Sequence, residues 1–160
     1  MTSKDLYLSW LNDAYSMEKN VEQMLSQHAS QASDHPQIQS KLEEHLRITQ
    51  SQADRVKGCI ERNGGSVSSV KSGISSMMGA ISGMSSGVFS DALIKNCLAE
   101  YATEHFEIAS YTSLLQAAER LNDPQTARIC QDIIREEEEM AHWLEDNLPQ
   151  VSNSMLQSAT

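Results

Sequence analysis

Residues 101–115, YATEHFEIASYTSLL, read as a helix, yet they place Glu104, His105, Glu107 and Tyr111 among positions that should face a core. Residues three and four apart share one helical face. One row runs Leu93, Cys97, Glu100, Glu104, Glu107, Tyr111, Leu114, Ala118, apolar at its ends and acidic in its middle. The adjacent row, Ile94, Leu98, Tyr101, His105, Ile108, Leu115, is mostly apolar and carries one imidazole. Carboxylates in the middle of a buried face cost several kcal/mol unless something compensates. Metal ions, basic partners or a tilt toward water would each do so.

The segments around this helix show the same conflict. A helix predicted from about Ser3 to Gln31, with Ser3 as N-cap, has the stripe Leu11, Ala14 or Tyr15, Glu18, Val21, Leu25, His28. Glu18 falls inside that stripe, or else at its edge and paired with Lys19 or a neighbouring helix. After the turn at Ser33–Pro36, a second helix runs from about Pro36 to Arg62. Its stripe is Ile38, Leu42, His45, Thr49, Gln52, Val56, Ile60. A lone inward histidine is more often a satisfied core residue than a ligand. Asn122-Asp123-Pro124 breaks the helix that starts near Ser90 and opens a last one, expected to stop before Pro149. Its stripe is Ala127, Cys130, Ile134, Glu137, Ala141, Leu144, Leu148, with Glu139 and His142 on a flank. The run Glu136–Glu139 reads largely as a solvated face.

Six of the seven glycines lie in residues 64–90, among many serines. Composition alone would make this a linker. However, Val67, Val70, Ile74, Met77, Ile81, Met84 and Val88 recur every three or four residues, which predicts an amphipathic helix laid across the others. No phosphate-binding glycine pattern is present.

The chain has 160 residues, a net charge of −10 and a pI near 4.8. That length fits one domain, and the composition favours helix throughout. The charge argues against binding nucleic acid or anionic membrane. Three dispersed cysteines, Cys59, Cys97 and Cys130, without CxxC spacing, point to reduced thiols in a cytoplasm. Neither a signal peptide nor a membrane span is apparent. The expected architecture is all-α: a ferritin-like antiparallel four-helix bundle over residues 1–149, with a long helical crossover at about 64–90 between its second and third helices. Residues 150–160 form a polar tail. Each bundle helix carries an inward polar residue near mid-length: Glu18, His45, Glu104 with Glu107, and Glu137. Such oxygen-rich sets suit a dimetal centre of iron or manganese, with zinc as a further option.

Asp13-Ala14-Tyr15 with Glu18-Lys19, His45 with Thr49 and Gln52, Glu104-His105-Phe106-Glu107-Ile108-Ala109-Ser110-Tyr111, and Glu136-Glu137 together resemble the YciE/YciF-type ferritin-like proteins, a bacterial stress-associated family. The likeness covers about residues 4–148. It implies a homodimeric ferritin-like bundle with a dimetal centre. On that reading Glu18 and Glu137 are terminal ligands, Glu104 and Glu107 bridge or chelate, and His45 or His105 gives nitrogen. His142 is a further candidate donor, and Tyr15, Gln52 and Tyr111 support the ligands. The chain departs from the family pattern at Ile48 and Ala141, where the family tends to carry acidic residues. This motivates an alternative, a stress or interaction protein with a degenerate, metal-free site whose carboxylates are protonated or paired with Lys19, Arg55 or Arg135. A third reading is a partner-binding bundle with a dimer face presenting Met77, Met78 and Met84.

Overall fold

The computed structural model describes residues 1–67, 73–83 and 90–159. Five helices follow in order: α1 (Ser3–Gln31), α2 (Pro36–Arg62), α3 (Gly73–Ser82), α4 (Ala92–Arg120) and α5 (Pro124–Ser158). There is no strand among the described residues.

Local chemistry sets the ends of these helices. Thr2, rather than Ser3, caps α1: its hydroxyl accepts from the Asp5 N–H at 3.1 Å and Asp5 accepts from the Thr2 N–H at 2.7 Å, a reciprocal capping box. Pro36 and Pro124 occupy the first turns of α2 and α5, where a missing N–H costs nothing. Gly64, at φ +79°, lets the chain leave α2, and Asn122, at φ 57°, makes the turn before α5. Asp91 precedes α4 in place of the expected Ser90, and its carboxylate pairs with Lys95 at 2.8 Å.

The chief difference from the sequence reading is at the C-terminal end. α5 does not stop before Pro149 but continues to Ser158, so residues 150–158 are helical. Pro149 lacks an N–H to donate to the preceding turn, yet Val151 beyond it is buried and extends the core. That apolar burial offsets the loss of one backbone bond.

α1 packs mainly on α2 and α4 mainly on α5, while α1 also meets α4 and α2 meets α5. The core between them is built from Leu11, Met17, Val21 and Leu25 of α1, Leu42, Val56 and Ile60 of α2, and Ile133, Met140 and Leu144 of α5. α3 lies against α1 and α4. It buries Met78, flanked by half-buried Ile74 and Ile81, and leaves Met77 exposed. Met78 is therefore a core residue rather than part of an exposed methionine face. Val70, Met84 and Val88 lie outside the described residues.

Candidate metal centre

Each of the four long helices turns one polar row inward, and these rows converge. Glu18 (α1), His45, Thr49 and Gln52 (α2), Glu100, Glu104, Glu107 and Tyr111 (α4) and Glu137 (α5) are all buried. His45 Nε2 lies 3.2 Å from Glu104 Oε1 and 3.3 Å from Glu137 Oε2. One ligand atom from each of these three side chains falls within 4.8 Å of the others. Neither His45 contact is aligned as a hydrogen bond, so Nε2 is left without an acceptor. Around this core, both oxygens of Glu104 and of Glu107, Oε2 of Glu18 and Oε2 of Glu137 meet no donor.

The neighbours of these groups settle how the charge is held. Tyr111 donates its hydroxyl to Glu18, and Gln52 donates its amide to Glu137. The same Gln52 nitrogen donates to Glu136 at 2.9 Å. The nearby cations are engaged elsewhere: Lys19 with Glu22, Arg135 with Asp132, and Arg55 with Glu136 at 2.6 Å. Burial therefore pushes the Glu18, Glu104 and Glu107 carboxyls well above their ordinary range, and the charge of Glu137 pushes each further. Burial acts the same way on Glu137, but contact with Glu104, His45 and the Gln52 amide outweighs it and holds Glu137 low. The two carboxyls are thus pushed in opposite directions, Glu104 up and Glu137 down.

Four acidic side chains with this many unanswered oxygens fit a cation. Natural interiors leave few buried polar atoms without partners, and each such atom calls for an explanation. Carboxylate oxygens with one imidazole nitrogen form the donor set that suits iron, manganese or zinc.

Not every expected residue comes to this point. His105 is exposed and makes an edge contact with Tyr101, ring centroids 4.6 Å apart. His142 is exposed as well, and neither histidine belongs to the three-donor group. Tyr15 is half-buried beside the core. Ile48 is half-buried and Ala141 is buried, so neither position contributes an oxygen.

A second buried polar pair escaped the sequence reading. His28 Nδ1 of α1 lies 2.5 Å from Glu100 Oε1 of α4, and both side chains are almost wholly excluded from solvent. The signal was present, since Glu100 sits one turn before Glu104 on the same row and His28 closes the α1 stripe. What sequence alone does not reveal is that two residues 72 positions apart meet.

The profile of DUF892, a domain of unknown function, matches residues 2–157. A protein of known structure from Xanthomonas campestris pv. campestris is 33% identical, with 99% of each chain covered and a TM-score of 0.85. The E. coli stress protein YciF is 25% identical over 96% of this chain and 98% of its own, with a TM-score of 0.82. A Desulfovibrio desulfuricans bacterioferritin with a diiron site shares the fold at 21% identity, covering 94% of this chain and 82% of that one, with a TM-score of 0.74.

Proposed function

The chain belongs to the DUF892 family and is a YciF-type ferritin-like protein; from that premise we propose that it is a carboxylate-bundle protein that binds iron or manganese, zinc being the alternative ion. The four long helices form the antiparallel ferritin-like bundle and α3 belongs to its crossover. The observation that carries the reading is the convergence of His45, Glu104 and Glu137 at zero or near-zero exposure, ringed by carboxylate oxygens that no protein donor answers.

His45, Glu104 and Glu137 provide the first seat. Glu18 and Glu107, each with unanswered oxygen, supply a second, so that the centre is dimetal when full. Ile48 and Ala141 bring no oxygen to it, which makes the second seat the weaker one. A bound iron or manganese ion supplies Lewis acidity and one-electron redox chemistry. The protein's own part is to hold the ligands and move protons. Glu104 gives up its proton on loading, Tyr111 orients Glu18, and Gln52 orients Glu137.

The relationship to a stress protein supports a stress-related role. The three cysteines are free and buried, in keeping with a cytoplasmic protein. No helix among the described residues is long and apolar enough to cross a membrane. A homodimer is the assembly proposed, and light scattering on a sizing column measures it.

The competing reading, a metal-free interaction protein, is favoured by one physical argument: without a cation, burial favours the neutral forms of Glu18, Glu104 and Glu107, which relieves the buried charge. Elemental analysis of protein purified without chelator, beside Glu104→Ala, separates the two. The metal reading expects about one or two equivalents in the wild type, lost in the variant. No metal in the wild type after reconstitution with Fe(II) or Mn(II) favours the metal-free reading.

A further inference from the structure

The centre just described is sealed, with Glu18, Glu104, Glu107 and Glu137 all at 0% exposure. A hydrated cation needs a path to it. Two packed helices would normally close their seam with apolar side chains. The seam between α2 and α5 does not do so along the stretch from Arg55 to His45. Arg55, Gln52, Thr49 and His45 follow one another on α2 at helical spacing, so they line one face. Three of them carry an unanswered buried polar atom: Gln52 Oε1, Thr49 Oγ1 and His45 Nε2. Across the seam stand Glu136 and Glu137. Gln52 Nε2 touches both, which joins a carboxylate at the surface to one at the centre. The outer end is half-open: the Arg55 and Glu136 side chains are 27% and 31% exposed and meet at 2.6 Å.

We propose that this seam is the cation entrance, with Glu136 as an outer binding position for a divalent transition-metal ion and Arg55 as the charge that occupies it until an ion arrives. The inference rests on the metal reading above and adds the route. The Arg55 guanidinium stands where the incoming cation would first meet a carboxylate. Its charge also reaches Glu18 inside, so it partly offsets the acidic centre before loading. A cation displacing Arg55 gains the Glu136 oxygens. It then exchanges water for Gln52 Oε1 and Thr49 Oγ1 in turn, and ends at His45, Glu104 and Glu137. Arg55 is held by Glu136 and by the Ser51 carbonyl of its own helix, at 3.4 Å, and is partly exposed, so its swing toward solvent breaks bonds only near the surface.

The test is stopped-flow loading of metal-free protein with Co(II), a probe whose absorption reports its coordination. Wild type is compared with Arg55→Gln, Glu136→Gln and the remote control Arg135→Ala, whose partner is the surface residue Asp132. The expected result is about tenfold faster loading for Arg55→Gln, the scale of effect when a like charge leaves a binding cleft. Glu136→Gln loads several-fold more slowly, the control loads like wild type, and all four reach the same final stoichiometry. Identical rates in all four proteins at full stoichiometry overturn the entrance and leave the centre standing. Co(II) uptake by none of them at equilibrium overturns the centre, and the entrance with it. Helical circular dichroism identical to wild type shows that each variant is folded.

Discussion

Tyr111 of α4 donates its hydroxyl to Glu18 of α1, and both side chains are wholly excluded from solvent. This bond spans the contact between the α1–α2 pair and the α4–α5 pair. It also orders Glu18 so that one oxygen is held by the phenol and the other is free. Replacing Tyr111 by Phe leaves both Glu18 oxygens unanswered. The expected outcome is a loss of about 1–3 kcal/mol in the metal-free protein and about tenfold or more in affinity for Mn(II). Urea unfolding and chelator competition measure the two effects. An unchanged affinity would show that Glu18 is not a ligand.

The pH dependence of metal-free stability has a definite sign. Glu18, Glu104 and Glu107 keep their protons in the folded state to a higher pH than the ordinary glutamate value of 4.5. Above that value the unfolded chain binds fewer protons than the folded one, so stability falls as pH rises toward the folded values. Glu137 is held low and acts oppositely: its contribution is present above 4.5 and is lost as pH falls through its folded value. Three groups outweigh one. Urea midpoints of the metal-free protein should therefore decline from about pH 5 toward neutrality. Saturating Zn(II) should reverse the slope, because binding needs the deprotonated forms and releases protons. Glu104→Gln should flatten the metal-free slope.

Asp123 is a joint between three helices. It accepts from Tyr7 at 3.1 Å, from Asn63 at 2.8 Å, and from the Thr126 N–H and hydroxyl at 3.1 and 2.7 Å. Asp123→Ala removes the α5 cap and leaves the buried Tyr7 hydroxyl without its acceptor, a loss of about 2–3 kcal/mol. Burial raises this carboxyl, but the donated bonds together hold it below its ordinary 3.8. Its contribution is thus present above that value and fades as pH falls below it. The gap between wild type and variant should narrow in acid, as read from midpoints between pH 2 and 6.

Burial pushes the Cys97 and Cys130 thiols up to about 12. Reaction needs the thiolate and access. A disulfide reagent at pH 8 should label neither in the native protein within minutes, and all three cysteines in urea. Rapid native labelling of Cys97 would show that α4 opens far more readily than its burial implies.

Deleting residues 150–160 strips Val151 from the core. The expected cost is about 1.5–3 kcal/mol, the scale for exposing such a side chain. If stability is unchanged, those residues contribute nothing to the bundle and the boundary at 149 stands as the natural one.

Much of this was legible because burial follows period. The inward rows of α1, α2 and α4 were readable residue by residue, Glu18, His45 and Glu107 included, since a single face repeats every three or four positions. Pro36 and Pro124 marked helix starts for the chemical reason that they have no N–H to lose. Three kinds of fact lay beyond this logic. Pro149 sits inside α5 because Val151 finds a tertiary pocket, and local propensity carries no information about that. His105 and His142 have the chemistry of ligands but sit on outward faces one position from a buried row, too fine a step for a stripe to resolve. The His28–Glu100 and Gln52–Glu136 pairs depend on helix register across the bundle, which no single helix encodes.

The buried polar residues of the site are divided between two hairpins. Glu18 and His45 lie in α1–α2, and Glu104, Glu107 and Glu137 lie in α4–α5. Each hairpin is held by contacts close in sequence, which form quickly, while joining them closes a long loop. Without a counter-ion, the final docking step must therefore either press like charges together or wait for Glu18, Glu104 and Glu107 to take up protons. It follows that the rate of assembly is open to control by what is dissolved around the chain. A divalent ion caught between the halves would speed their docking, and a chain deprived of it would fold more slowly at neutral pH than in mild acid.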